Sequence, residues 1–454
     1  MHDLRLSAGP ATLPFSRGYA SGAPLTWWRG LPITQQVFDA HVAALANRLP
    51  DSGLVLNLCE DRAAFVLGWA AALSRGLTTV LPSDRTPRGI AQAAADSGAS
   101  RLLHDQRVGE PLSNALPTLR IGFDAVVRAT DYPPLAVAAE QVAAIVYTSG
   151  STGKPTACAK RWGSLVSGAR TLGGMLGWHL PQAGSVIGAV APQHMFGLET
   201  TVMLPLQWGV CIRPERPLLP ADITSVLVSA EAPAWLMITP LHAQACLAAG
   251  LERDVNNPAG VISSTMPLTS KTASALEHLW GTCVWEIYGS SETGMVGLRR
   301  TSHAAAWRLV DDLELTVSDG IAVVSGRACM PAQRLHDDLR ALGDDRFLLV
   351  GRNRDIVKVG GKRASLVELN AVLCNLDGVR EAVFVQPQEG GRLVALVVAE
   401  SGLGKRQIEE FLACHFDPVF LPRPVWLVDR LPRNENGKLP RAALLDLINQ
   451  LRDK

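Results

Sequence analysis

Neither sign of charge dominates this chain. Lys and Arg number 43 against 42 Asp and Glu, a formal net charge of +1. That balance gives no electrostatic footprint for nucleic acid or for a membrane surface. No apolar run approaches the ~20 residues of a membrane-spanning helix. Acidic Asp3 and the lack of a long apolar stretch near the start are unlike a secretory leader. The eight cysteines (59, 158, 211, 246, 283, 329, 374 and 414) are scattered, without a CxxC pair or a Cys/His cluster at zinc-ligand spacing. Dispersed thiols fit a reducing cytosol better than a disulfide framework. Internal repeats and low-complexity tracts are missing as well. The expectation is a cytoplasmic protein with no structural metal, no nucleic-acid partner and no membrane span.

What remains is a long chain with much to bury. Its 454 residues exceed one domain, and 47% apolar against 19% charged residues suits large cores. Strand and helix patterns alternate: Val55–Cys59 reads as a buried strand, Asp61–Leu73 as a helix, Thr78–Leu81 as a strand. The rhythm recurs at Ser185–Ala191, Trp235–Thr239, Val261–Ser263 and Val284–Tyr288, which predicts an α/β fold with a mainly parallel sheet. After about Val350 the texture changes. A helix at Leu366–Leu376, strands at Arg380–Gln386 and Arg392–Val398 with a turn at Glu389–Gly391, and a helix at Lys405–Cys414 describe a small α+β module. The boundary is placed near Asn353–Arg354, giving a large α/β domain over 1–353 and a second over 354–454. The linker is very short, so the two should share a cleft.

The strongest local signal follows the apolar strand that ends at Tyr147. Thr148, Ser149, Gly150, Ser151, Thr152, Gly153 and Lys154 offer glycines that let successive N–H groups converge on an anion, hydroxyl donors, and one positive charge. Such a cradle suits triphosphate oxygens. It is not a Walker A loop: two residues rather than four separate the glycines, and Pro155 follows the lysine. The bland alternative is a solvated Ser/Gly turn.

Three further islands carry chemistry. In Tyr288–Gly294, with Gly289 between, the aromatic can lie against a purine, Ser291 can bond a phosphate, and Glu292 can hold Mg²⁺. Its alternative is a Gly/Ser turn that caps a helix at Glu292. In Gly351–Arg363, Arg352 can reach ribose or phosphate, and Gly360 and Gly361 let a narrow ligand pass close to the backbone; the alternative is a charged hairpin. In Leu431–Arg441, Lys438 follows an Asn-Gly turn and is presented on a loop tip.

In this order and spacing, from about residue 50 to 441, the islands resemble the adenylate-forming superfamily of acyl-CoA synthetases, nonribosomal adenylation domains and beetle luciferases. The resemblance implies a large adenylation domain plus a small mobile one, with ATP and Mg²⁺ used to make an acyl-adenylate and a thiol that then takes the acyl group. It implies phosphate binding by Thr148–Lys154, adenine packing by Tyr288, a ribose carboxylate at Asp337 with Arg352 as second contact, and Mg²⁺ at Glu292. Lys438 is implied to bridge carboxylate and phosphate, Arg354 to be the hinge, and His194 in Ala191–Leu198 to be the gate beside the acyl carboxylate. Ser264, Thr265 and Met266 stand where the family commonly has Gly-Gly-Ala against the adenine, so that wall should be reshaped. Thr156 replaces a frequent Lys, and the stretch between Arg300 and Gln333 looks trimmed.

The acyl pocket implied includes Gln193, His194, Phe196, Ser263, Trp285, Gly294 and Met295. Bulky Trp285 and Met266 argue against a long acyl chain. The short length and the Pro192–Glu199 string resemble aryl-acid ligases of aryl-polyene pigment pathways, which load a hydroxybenzoate-type acid onto an acyl carrier protein. CoA is the other acceptor; Lys362, Arg363, Lys405 and Arg406 suit either, at the mouth of a thiol tunnel past Gly360 and Gly361. Alternatives are a CoA ligase for a short aliphatic acid, a non-catalytic ATP-binding homologue, a kinase-type phosphotransferase, and an oxidative light-emitting relative.

Overall fold

The computed structural model describes residues 11–453, apart from 83, 107–115, 125–126, 128–131, 148–155, 181–183, 231–232, 251–256, 319, 344, 353–355, 360–361, 389 and 434–438. A six-stranded sheet runs in the order Ala157–Arg161, Val142–Tyr147, Thr78–Leu81, Leu54–Asn57, Arg101–His104, Thr118–Arg120. All its neighbours are parallel except the first pair, an antiparallel hairpin connected through the glycine-rich segment. The first strand closes at Asn57, two residues before the expected end. There the Asn57 side chain accepts from the Cys59 N–H at 3.1 Å and donates to the Phe65 carbonyl at 3.0 Å, turning the chain into the helix.

The second sheet has eleven strands. Its centre, from Val284–Ser290 through Gly260–Ser263, Ala234–Ile238, Ser185–Gly188 and Cys211–Ile212 to Pro24–Trp28, is parallel. Both flanks are antiparallel. The mainly parallel expectation therefore holds through the smaller sheet up to its one antiparallel edge, and at the centre of the larger sheet but not on its flanks. The stretch between Arg300 and Gln333 contributes most of a three-stranded antiparallel sheet, Leu313–Ser318, Ile321–Gly326 and Cys329–Leu335.

Helix Arg62–Ser74 contacts strands of both large sheets, and every residue from Arg62 to Leu73 is buried. A helix apolar on all sides needs such a sandwiched position. Its first residue is a charge, 1% exposed. The Arg62 guanidinium donates all five N–H bonds: to Thr201 Oγ1 (3.0 Å), the carbonyls of Arg213 and Glu215 (2.8 and 3.0 Å), and those of Gly188 and Val190 (2.9 and 3.0 Å). Burial lowers its pKa to about 10. A Cβ on Gly188 would stand 2.6 Å from the guanidinium, so glycine there makes room for the cation.

The C-terminal part has a hairpin, Ile356–Val359 with Lys362–Ser365, and a three-stranded sheet of Val379–Val385, Val394–Ala399 and Val425–Leu427. Helices Leu366–Cys374, Lys405–His415 and Arg441–Arg452 accompany it. The third strand, parallel to its neighbour, was not foreseen. Two core clusters use only residues from Val357 onward, and the other four only residues up to Phe347.

Replacing Arg62 by Met would strand four buried carbonyls and a hydroxyl. The expected loss is roughly 3 kcal/mol or more, seen as a lower urea midpoint at unchanged slope; a midpoint equal to wild type would refute the structural role.

Candidate active site

The parallel strands of the large sheet end at Gly188, Ile238 and Ser263, and the chain beyond them builds one wall. Ligands of open α/β sheets collect at such carboxyl ends. After Gly188 the chain runs through Pro192, Gln193 and His194 into a short helix, Met195–Gly197, and a π-helical turn, Leu198–Met203. Gln193 is 3% exposed. Its Nε2 donates to the Cys59 carbonyl at 2.6 Å, whereas its Oε1 has no partner among the described residues. The fully buried Ser263 Oγ is in the same condition. His194 is half-buried at the helix start, its carbonyl accepting from Leu198 N–H at 2.8 Å. Phe196 and Met295 share one core cluster, with Trp285 and Tyr288 packed against it.

Tyr288 to Gly294 form the turn of a β-hairpin, Val284–Ser290 with Gly294–Arg299. No helix starts at Glu292; the helix-cap alternative is corrected by the reciprocal bonds Ser290 N–H to Thr293 Oγ1 (3.1 Å) and Thr293 N–H to Ser290 Oγ (3.2 Å), which close the turn. Ser291 and Glu292 stand half-exposed on it. From the smaller sheet, buried Lys160 donates to the Glu292 carbonyl at 2.7 Å. Burial lowers the Lys160 pKa, against the pull of Glu199. The Tyr288 hydroxyl donates to Asp337 Oδ2 at 2.6 Å, and its ring is backed by Trp307 and Phe347 with centroids at 5.7 and 5.8 Å. Asp337 lies in backbone register with Arg352 on the next strand.

The 264–268 segment lies beside this hairpin. Ser264 Oγ donates to the Ile287 carbonyl (2.8 Å), and the Leu268 N–H to Glu286 Oε1 (2.8 Å). Thr265 keeps a φ of +81°, and its Oγ1 is buried without a partner among the described residues. A β-branched residue in that region is strained. Two acidic residues of this neighbourhood escaped the motif reading. Glu286, 3% exposed, also takes the Arg299 guanidinium (2.7 Å) and the Thr301 hydroxyl (2.6 Å). Glu199 accepts from Met295 N–H at 3.1 Å. The available signal was an acidic residue inside an apolar run: Glu286 in Val284–Tyr288, Glu199 after Met195–Leu198.

Thr148 to Lys154, Arg354, Gly360, Gly361 and Lys438 lie outside the described residues, and only the backbone of Arg352 and Arg363 is described. The charged-hairpin alternative for the 351–363 island is met in part by the strands Ile356–Val359 and Lys362–Ser365. From the C-terminal part, Arg433 reaches the 264–268 wall, with Nη1 3.1 Å from Met266 Sδ. Among the described residues no cluster of three or more His, Cys, Asp or Glu could hold a metal. One carboxylate on a half-exposed turn still fits Mg²⁺, which commonly takes one or two carboxylates and completes its shell with phosphate oxygens and water.

The family model for AMP-binding enzymes matches residues 24–323, and that for their C-terminal domain matches 368–438. The chain belongs to the AMP-binding enzyme family. Among relatives, the 4-coumarate–CoA ligase of Rhodobacter capsulatus is 36% identical over 64% of this chain and 72% of its own. The 4-hydroxybenzoate–CoA/benzoate–CoA ligase of Rhodopseudomonas palustris is 24% identical over 73% of this chain and 69% of its own. The crystal structure of the anthranilate CoA ligase AuaEII with anthranoyl-AMP superposes with a TM-score of 0.81 at 17% identity, covering 97% of this chain and 99% of that one. The likeness to AuaEII therefore extends over nearly the whole fold. No helix of the described residues is long and apolar enough to cross a membrane.

Thr265→Gly should relieve the strain at φ +81°. A net gain of about 1 kcal/mol in unfolding free energy is expected after the entropy cost of glycine, measured by urea denaturation; a loss of stability would show that Thr265 contributes a contact that outweighs its backbone.

Proposed function

We propose that this ligase activates a small aromatic carboxylic acid, hydroxybenzoate-like in size, as its acyl-AMP and passes the acyl group to a phosphopantetheine thiol. The observation that carries the reading is the 2.6 Å hydrogen bond between Tyr288 and Asp337. It joins the residues proposed to face adenine and ribose, on the same hairpin that continues into Gly294 and Met295 of the proposed acyl wall. The aromatic acids in the names of the coumarate and hydroxybenzoate ligases support the substrate class.

In the first half-reaction the acid's carboxylate oxygen forms a bond to the α-phosphorus of ATP, and the bond from that phosphorus to the β-phosphate bridge breaks, releasing pyrophosphate. Two anions must approach, so charge has to be neutralised where it develops. Thr148–Lys154 would cradle the phosphates. Glu292 would hold Mg²⁺, which supplies positive charge to the phosphate oxygens when bound. Lys438 would bridge carboxylate and phosphate. Arg433, five residues before Lys438 in the chain, lies against Met266 of the proposed adenine wall, which supports this. His194 and Gln193 would orient the carboxylate.

In the second half-reaction the thiol sulfur attacks the acyl carbon and AMP leaves. Rotation of the 354–454 module about Arg354 would bring Gly360, Gly361 and Arg363 to the site. Separate hydrophobic cores on either side of residues 348–356 and an exposed Lys271–Asp377 pair between the parts support a pivot with little to break, since exposed pairs contribute about 0–1 kcal/mol. The thiol is that of CoA or of a carrier protein. Loading onto a carrier protein, as in aryl-polyene pathways, is the more specialised form of the same chemistry.

ATP–pyrophosphate exchange across benzoic, cinnamic and short aliphatic acids tests the reading, with exchange expected for an aromatic acid and none for the aliphatic set. Lys438→Ala should lower that exchange by at least about a hundredfold, the several kcal/mol of a lost charge partner, while thiol transfer from synthetic acyl-adenylate survives. Equal loss of both steps would refute the assignment.

A further inference from the structure

Glu199 is a carboxylate that the nucleotide chemistry does not use. It occupies the second position of the π-helical turn Leu198–Met203 and is half-buried. The Met295 N–H pins its Oε1, and no ion pair of Glu199 occurs among the described residues. Glycines stand at two of the positions facing it. A Cβ on Gly294, whose φ is +74°, would lie 2.6 Å from Oε1, and a Cβ on Gly168 would lie 4.0 Å away. The first would collide with the carboxylate and the second would meet it in ordinary contact, so it is glycine at 294 that admits the Glu199 side chain. π-Turns inside helices often mark functional sites.

Burial pushes the Glu199 carboxyl up to about 7, against the Met295 amide and the Lys160 ammonium, which both favour the anion. With Lys160 opposite, the local charge is close to balanced. A cationic ligand group would upset that balance; a neutral hydrogen-bond donor would not. Glu199 also lies five residues beyond His194 in the chain, past the short helix Met195–Gly197, and its Oε1 is held by the amide of Met295, a residue of the proposed acyl wall.

We propose that Glu199 reads the end of the aromatic acid remote from its carboxyl, accepting a hydrogen bond from a neutral donor on the ring, a phenolic hydroxyl or an arylamine. The inference rests on the reading of Gly294 and Met295 as acyl-pocket wall. A site that sets an acceptor against a ligand donor discriminates against an analogue without the donor, because the acceptor, shut off from water by the ligand, is then left unpaired.

The test compares kcat/KM in ATP–pyrophosphate exchange for 4-hydroxybenzoate, 4-aminobenzoate, 4-methoxybenzoate and benzoate, and for 4-coumarate against cinnamate. Wild type should favour a donor-bearing acid over its unsubstituted partner by about tenfold or more, and reject the methoxy acid. The hydroxy and amino arms identify the donor. E199L should bring the ratio close to one, through KM for the acid and with KM for ATP unchanged, and E199Q should lower it by about threefold, as a neutral acceptor is weaker than a charged one. Each ratio is taken within one variant, so partial misfolding cancels. If E199L is inactive with every acid, the E199Q ratio decides. A wild-type preference below twofold, or a ratio unchanged in the deciding variant, overturns the proposal. Exchange with any acid in that case leaves the acid-activating function standing; only the absence of exchange with all acids removes both.

Discussion

The guanidinium of Arg62 is the constraint from which the acyl side of the site follows. It is a buried cation with no carboxylate in hydrogen-bond contact among the described residues, held instead by four carbonyls and one hydroxyl. Two of the carbonyls, Gly188 and Val190, belong to the strand end from which Gln193 and His194 emerge. The hydroxyl, Thr201, sits in the π-turn that carries Glu199 and in turn donates to the Gly197 carbonyl at 2.6 Å. A single planar fork of donors thus fixes the entry and the exit of the His194 segment. Lysine, with three donors on a point charge, could not satisfy the same five acceptors.

A second buried cation does equivalent work between the two sheets. Lys160 belongs to the hairpin of the smaller sheet whose connection is the glycine-rich segment, and its ammonium ends on the carbonyl of Glu292 in the larger sheet. The strand Ala157–Arg161 of the smaller sheet is therefore tied to the 290–293 turn of the larger one through one N–H···O contact, in a setting where desolvation makes the contact costly to leave unmade. Both cations use backbone carbonyls as partners. Carboxylates in the same interior take backbone amides instead: Glu286 that of Leu268, Glu199 that of Met295.

These four charges explain where sequence reading stopped. Strands such as Thr78–Leu81 and helices such as Lys405–His415 follow hydrophobic periodicity, and their limits were legible to within a residue. The family resemblance implied adenine packing at Tyr288 and a ribose carboxylate at Asp337, and in the structure these two side chains are hydrogen-bonded. Arg62, Lys160, Glu199 and Glu286 were passed over by the same reasoning: the two acids showed only as single charges inside apolar runs, and the two cations as charges at the end of a helix and in a short strand. Only the packing of two sheets against one helix turns these positions inward. The helix-cap alternative at Glu292 failed for a related reason: Ser and Gly at 289–291 signal a turn without saying whether a helix or a strand follows, and the apolar run Met295–Leu298 beyond them supplies the strand.

The wall at 264–268 shows how one strained residue is kept in place. Thr265 would leave the left-handed region if its neighbours were free. Ser264 is bonded to the Ile287 carbonyl on one side, and Leu268 to the Glu286 carboxylate on the other, so both ends of the segment are tied to the strand that carries Tyr288. Glu286 is itself held by Arg299 and Thr301 from the far arm of that hairpin. Strain of this kind persists only where surrounding bonds over-determine the backbone. The consequence is geometric: the conformation a glycine would adopt freely is imposed on a threonine, and the following Met266 is carried outward to the position where its sulfur meets Arg433. The larger side chains of this wall thereby give it a contact with the C-terminal part that a Gly-Gly-Ala wall has no atoms to make.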